Sequence, residues 1–134
     1  MDELITKNLE MIQNIINRMA QNSFLIKGWA ITLVAALFAL TVKDSKYEFI
    51  FLTYFPAVTF WILDGYYLYQ EKLFRKLFNK VRKLNSSLID FNMDTSEFKS
   101  EVTWLNTIFT KSLIIFYGVI IFSIAIVMFY LIIR

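Results

Sequence analysis

The stretch LIIFYGVIIFSIAIVMFYLII, residues 113–133, contains no Asp, Glu, Lys or Arg. A helix needs about 20 predominantly apolar residues to cross the ~30 Å hydrocarbon core of a bilayer. The stretch reads as a membrane span, and its many Ile side chains suit a helix that faces lipid. Two further segments approach the same length and character: FLIKGWAITLVAALFALTV at 24–42 and FIFLTYFPAVTFWILDGYYLY at 49–69. Charges flank all three, and Trp29, Tyr47, Tyr66, Tyr67 and Tyr69 fall where an interfacial aromatic belt is expected. A polar stretch precedes the first span and no small-residue cleavage pattern follows it, so it does not read as a signal peptide.

Composition agrees. Of 134 residues, 57% are hydrophobic and 18% aromatic, and mean hydropathy is +0.53. Soluble proteins carry roughly 45–50% apolar residues even with glycine included, and a chain this small has too little interior to hide the excess. The sequence lacks His and Cys altogether. That excludes disulfides, thiolate nucleophiles, Cys/His zinc sites and imidazole bases. Three Gly and one Pro leave no Gly-rich phosphate loop. The expectation is a chain that is not an enzyme and needs no cofactor or metal.

Lys and Arg set the orientation. Residues 70–112 hold Lys72, Arg75, Lys76, Lys80, Arg82, Lys83, Lys99 and Lys111, and the N-terminal segment adds Lys7 and Arg18 on the same side. The other side has only Lys43, Lys46 and Arg134. This asymmetry predicts a cytosolic N-terminus, a cytosolic loop and an external C-terminus.

Residues 1–23 read as an amphipathic helix. Ile5, Leu9, Ile12, Ile16 and Met19 recur at alternating steps of four and three, an a/d seam. Such a seam, with Ile at d, favours three or four parallel strands. The same pattern also suits a helix packed on its own chain or lying on the membrane surface. Beyond the second span the helical pattern continues, with Leu73, Leu77, Val81, Leu84 and Leu88 on one face. Asp94 and Glu97 have capping-box-like spacing for a second helix, which is expected to run from about residue 95 to 133. Residues 70–112 thus read as a helical hairpin reaching roughly 30 Å into the cytosol at 1.5 Å per residue. The four parts are an oligomerisation helix (1–23), spans one and two (24–69), the basic hairpin (70–112) and the third span (113–134).

The hairpin's other face carries Lys72, Arg75, Lys76, Lys80, Arg82 and Lys83 against Glu71. These cations suit either an anchor on anionic lipid or a site for an anionic nucleotide or single-stranded nucleic acid. Phe74, Phe78 and Trp104 are candidates for base stacking. Lys27 and Asp64 are the charges well inside apolar spans, at matching depth, and are expected to pair. The first span has a face of small residues, Gly28, Thr32, Ala35, Ala36 and Ala39, of the kind that lets membrane helices approach closely. That face is the candidate pore lining or packing seam. Pro56 is expected to kink the second span.

The runs NRMAQNSFLIKGWAITLVAALFAL (17–40) and FPAVTFWILDGYYLYQEKLFRKLF (55–78), with KGWA at 27–30, LDGYYL at 63–68 and QEKLFRKL at 70–77, resemble a group of small bacterial antiphage-defence membrane proteins. The resemblance covers about the first 80 residues, and the nearest type is the channel subunit of Hailong-type systems. It implies a tetrameric ion channel of the bacterial inner membrane. Such channels are held shut by a single-stranded oligodeoxyadenylate from a companion nucleotidyltransferase. The expected fold is therefore an all-α membrane protein assembled as a homo-oligomer, and the expected function a membrane-depolarising effector gated from the cytosol by an anionic ligand. The alternative is a non-conducting accessory protein that anchors or scaffolds a soluble partner.

Overall fold

A computed structural model describes residues 3–44 and 48–133. Asp2, Lys46, Tyr47 and Arg134, which enter the reading above, lie outside the described residues. The described chain is helical throughout its regular structure, without strands. Helix α1 spans Glu3–Asp44, α2 Glu48–Val81, α3 Trp104–Ile108 and α4 Lys111–Ile133, with 3-10 turns at Ser86–Leu88 and Ser96–Phe98. Three of them, α1, α2 and α4, are long and apolar enough to cross a membrane.

The expected boundary between an N-terminal helix and a first span does not exist. α1 is one unbroken helix of 42 residues, about 63 Å at 1.5 Å per residue. Nothing around residue 23 can end it: the segment has no Pro, and its single Gly, Gly28, costs only about 1 kcal/mol relative to Ala. Ile5, Asn8, Ile12 and Ile16 are buried at steps of three and four residues, the spacing of one helix face, and Ala30 and Val34 are buried further along the same helix.

α2 is the centre on which α1, α3 and α4 all pack. Three apolar clusters fill the contacts. At the end of the bundle holding the N-terminus, Ile12 and Ile16 of α1 meet Leu77 and Val81 of α2. Midway, Ala30, Leu113 and Tyr117 pack with Phe60 and Trp61. At the far end Val34, Ile50, Ala57 and Ile124 close the core. The a/d residues Ile12 and Ile16 are thus occupied inside their own chain, with Leu9 packed against the same cluster. In the single chain, α2 extends far enough past the apolar span to pack against that seam. Ile5 is buried too, while Met19 stays partly exposed. Pro56 is buried within α2, which continues through it to Val81.

The helical hairpin expected at 70–112 forms on one side only. α2 supplies the outgoing arm, but residues 82–103 return through turns instead of a helix. Side chains that compete for backbone hydrogen bonds explain this. Asp90, Asn92 and Asp94 each accept a bond from the backbone N–H two residues on, and Phe91 takes a left-handed φ of 57°. Asp94 therefore closes a local turn on Ser96 and does not cap a helix, and Glu97 reaches Lys80 instead of its own backbone. The Ser96 bonds hold the Asp94 carboxyl below its usual range. A depressed pKa means the turn keeps this contribution at neutral pH and loses it only as pH falls through that lowered value.

Nor does one helix run from residue 95 to 133. Thr103 is extended and caps α3 through a bond from the Asn106 N–H, and the chain bends again at Phe109 and Thr110 before α4 begins.

Candidate functional site: a polar node inside the bundle

Lys27 and Asp64 meet as the sequence suggested. Lys27 Nζ lies 2.6 Å from Asp64 Oδ2. The Asp64 side chain is 0% exposed and that of Lys27 25%, so the carboxylate sits in the core and the ammonium at its edge. Two residues missed from the sequence complete the node. Ser23, one turn before Lys27 on the same face of α1, accepts from Lys27 Nζ at 2.8 Å and donates to Asp64 Oδ1. Tyr117 of α4 donates to Asp64 Oδ2 at 2.9 Å. The i, i+4 spacing of Ser23 and Lys27 was a usable signal. For Tyr117 the only hint was a hydroxyl within a run of Ile and Phe. Lys27 also stands 5.7 Å from the centre of the Phe116 ring, a favourable cation–π geometry.

One carboxylate thereby takes hydrogen bonds from α1 and α4 while belonging to α2. Charge inside a low-dielectric region is costly unless it is paired and its remaining lone pairs are used. Asp64 satisfies both conditions.

Next to the node, Trp61 donates from Nε1 to the Ile108 carbonyl at 2.9 Å and stacks on Tyr117. Gly65 faces Ile108 so closely that a Cβ there would lie 2.6 Å from Ile108 Cγ1 and 3.4 Å from its Cα. Ile108 is β-branched and cannot swing aside cheaply. Gly65→Ala should cost about 1–3 kcal/mol through overpacking, read as a lower thermal midpoint in detergent; an unchanged midpoint would mean that α3 is free to move off α2.

The basic face of α2 is less charged than its sequence implied. Arg75 pairs with Glu71 at 3.0 Å, and the return arm brings Glu101 to 3.6 Å from Lys76 and Glu97 to 2.6 Å from Lys80. Such solvent-exposed pairs stabilise little, about 0–1 kcal/mol each, but they reduce the field a ligand would meet. Lys72, Arg82 and Lys83 form no ion pair among the described residues. Phe74 and Phe78 pack against the apolar cluster of α1 and α2, and Trp104 sits against Tyr66 with Nε1 bonded to the Ile62 carbonyl. Phe74 and Phe78 are thus partly engaged within the fold, while Trp104 remains 41% exposed.

Gly28, Thr32, Ala35, Ala36 and Ala39 are all exposed, on the side of α1 turned away from α2. A Cβ on Gly28 would meet nothing within 4 Å, and Phe24, Leu25, Gly28, Trp29 and Thr32 line an open groove of about 350 Å³. Thr32 satisfies its hydroxyl on the Gly28 carbonyl at 2.9 Å.

Comparison with protein-family models, curated proteins and solved structures gives no match.

Proposed function

We propose that the protein is the subunit of a homo-oligomeric ion channel, a tetramer by the resemblance noted above, gated from the cytosol by an anionic ligand. The observation that carries this reading is the uncovered small-residue face of α1. Within a bilayer, small residues on one helix face serve close helix–helix approach, and nothing in the protomer uses Gly28 for that purpose. A second copy would, which puts α1 around the oligomer axis. The ligand side of the reading rests on Lys72, Arg82 and Lys83, which have no acidic partner among the described residues and lie toward the end of α2 that packs on the N-terminal part of α1. The resemblance supplies the ligand class, a short single-stranded oligodeoxynucleotide made by a companion nucleotidyltransferase, and with it a role in antiphage defence at the bacterial inner membrane.

The test is conductance of purified protein in planar bilayers, with and without short single-stranded DNA. Wild type is expected to conduct and to change its conductance when DNA is added. A Cβ at Gly28 meets nothing within 4 Å among the described residues, and Gly28→Leu, which fills the open groove beside it, is expected to lose both oligomer mass and conductance. DNA binding should weaken with salt at a slope near −0.7 per phosphate neutralised, and Lys72→Gln, Arg82→Gln and Lys83→Gln together should flatten that slope. A protein that never conducts, with Gly28→Leu still fully assembled, would return the assignment to the accessory scaffold.

A further inference from the structure

We propose that residues 103–110 lie in the lipid, as an elbow that re-enters the bilayer at the depth of Asp64. Leu105 and Phe109 would touch acyl chains of the leaflet on the N-terminal side of the bundle. The proposal rests on the three helices crossing a membrane and is independent of conduction.

Depth is the first argument. Trp104 Nε1 donates to the carbonyl of Ile62 at 3.2 Å, the Ile108 carbonyl accepts from Trp61 at 2.9 Å, and Ile108 abuts Gly65. α3 therefore lies alongside residues 61–65, within the apolar part of α2 and level with the polar node. Surface is the second. Leu105 is 67% exposed and Phe109 58%, four residues apart and so on one side of the bend. Ile62 and Tyr66 of α2 and Ile115 of α4 are exposed as well. In water these would form an apolar patch of a kind that soluble surfaces rarely leave open.

The third argument is the elbow's own hydrogen bonding. Irregular backbone survives at membrane depth only when its polar groups are satisfied without water. Thr103 Oγ1 accepts from the Asn106 N–H at 3.2 Å, Thr107 Oγ1 donates to the Thr103 carbonyl at 2.7 Å and Thr110 Oγ1 to that of Thr107 at 2.9 Å. At the bend, the N–H groups of Phe109 and Thr110 bond back to Asn106 and Thr107 at 3.2 and 3.0 Å, and the Ile114 N–H takes the Thr110 carbonyl at 2.9 Å. Every threonine hydroxyl of the elbow turns inward to its own backbone.

The sequence contains no Cys, so single-Cys variants take a nitroxide label at one place only. Labels at Leu105→Cys and Phe109→Cys in phosphatidylcholine–phosphatidylglycerol vesicles should be relaxed by dissolved oxygen and shielded from a water-soluble nickel chelate, like a label at the α4 position Ile126→Cys. A label at Lys99→Cys should show the opposite preference. Nickel accessibility at 105 and 109 equal to that at 99 would overturn the proposal. So would dipolar broadening between labels at 105 or 109, since that puts a second copy over the patch. If either variant fails to fold, Trp104 fluorescence in the Trp29→Phe, Trp61→Phe double variant, which leaves Trp104 as the single tryptophan of the three in the sequence, reports the same depth through brominated lipids. Quenching by bromines near the headgroup supports the elbow, and quenching equal to that by a soluble quencher alone overturns it.

Discussion

Lys27→Ala should lower the stability of the detergent-solubilised protein by about 3–5 kcal/mol, because it leaves the Asp64 carboxylate buried without a cation. Ser23 and Tyr117 still hydrogen-bond to Asp64, which places the loss at the lower end of that range. Adding Asp64→Asn removes the uncompensated charge, and the double variant should recover much of the loss. The double-mutant cycle then yields a coupling far outside the ~0.3–0.5 kcal/mol scatter of independent sites. Additive effects would show that the two side chains do not act as a pair. Tyr117→Phe isolates the third helix. It removes one hydrogen bond to a charged group, worth about 1.5–3 kcal/mol, while leaving the ion pair in place.

Ile12→Asp has a comparably large expected effect for a different reason. Ile12 is fully buried against Leu77 and Val81 of its own chain. A carboxylate there would sit in an apolar cluster, and removing a buried Ile alone costs about 2–5 kcal/mol. The N-terminal part of α1 should separate from α2, opening residues 3–20 to protease while the spans remain inserted. The same substitution would break an intermolecular coiled coil as well, so mass alone does not discriminate. Protease protection of a monomeric wild type does: protection in the monomer means self-packing, and protection only in the oligomer means a shared seam.

The membrane-spanning helices were legible because their information is local. Length and hydropathy suffice for α4, and the matched depths of Lys27 and Asp64 follow from counting residues along two antiparallel spans. What failed was non-local or depended on competition. The continuity of α1 follows from the absence of a breaker at 22–24, but a change in composition at that point suggested a boundary. The return arm has apolar spacing that suits a helix. Asp90, Asn92 and Asp94 override it with turns, a choice decided by hydrogen bonds to backbone that periodicity does not register. Glu97 and Glu101 are close to Lys80 and Lys76 only because the arm folds back, so the charge of the basic face could not be read from α2 alone. Tyr117 reaches Asp64 from 53 residues away, with no pattern in either helix to announce it.

The unbroken α1 has a mechanical consequence. It is fixed to Asp64 of α2 by polar bonds at Ser23 and Lys27, near its middle, and by apolar contacts on either side. From Lys27 to Asn8 is about 28 Å and from Lys27 to Thr41 about 21 Å at 1.5 Å per residue. A stiff rod pivoting at such a point behaves as a seesaw. An inward push of 1 Å at Asn8, ~1 Å being the scale of helix shifts at switching interfaces, swings Thr41 outward by about three-quarters as much. Asn8 is 1% exposed, and its Oδ1 has no hydrogen-bond partner among the described residues. One end of the beam therefore rests on a weak seat, and a small force applied there reaches the opposite face of the membrane reversed in direction.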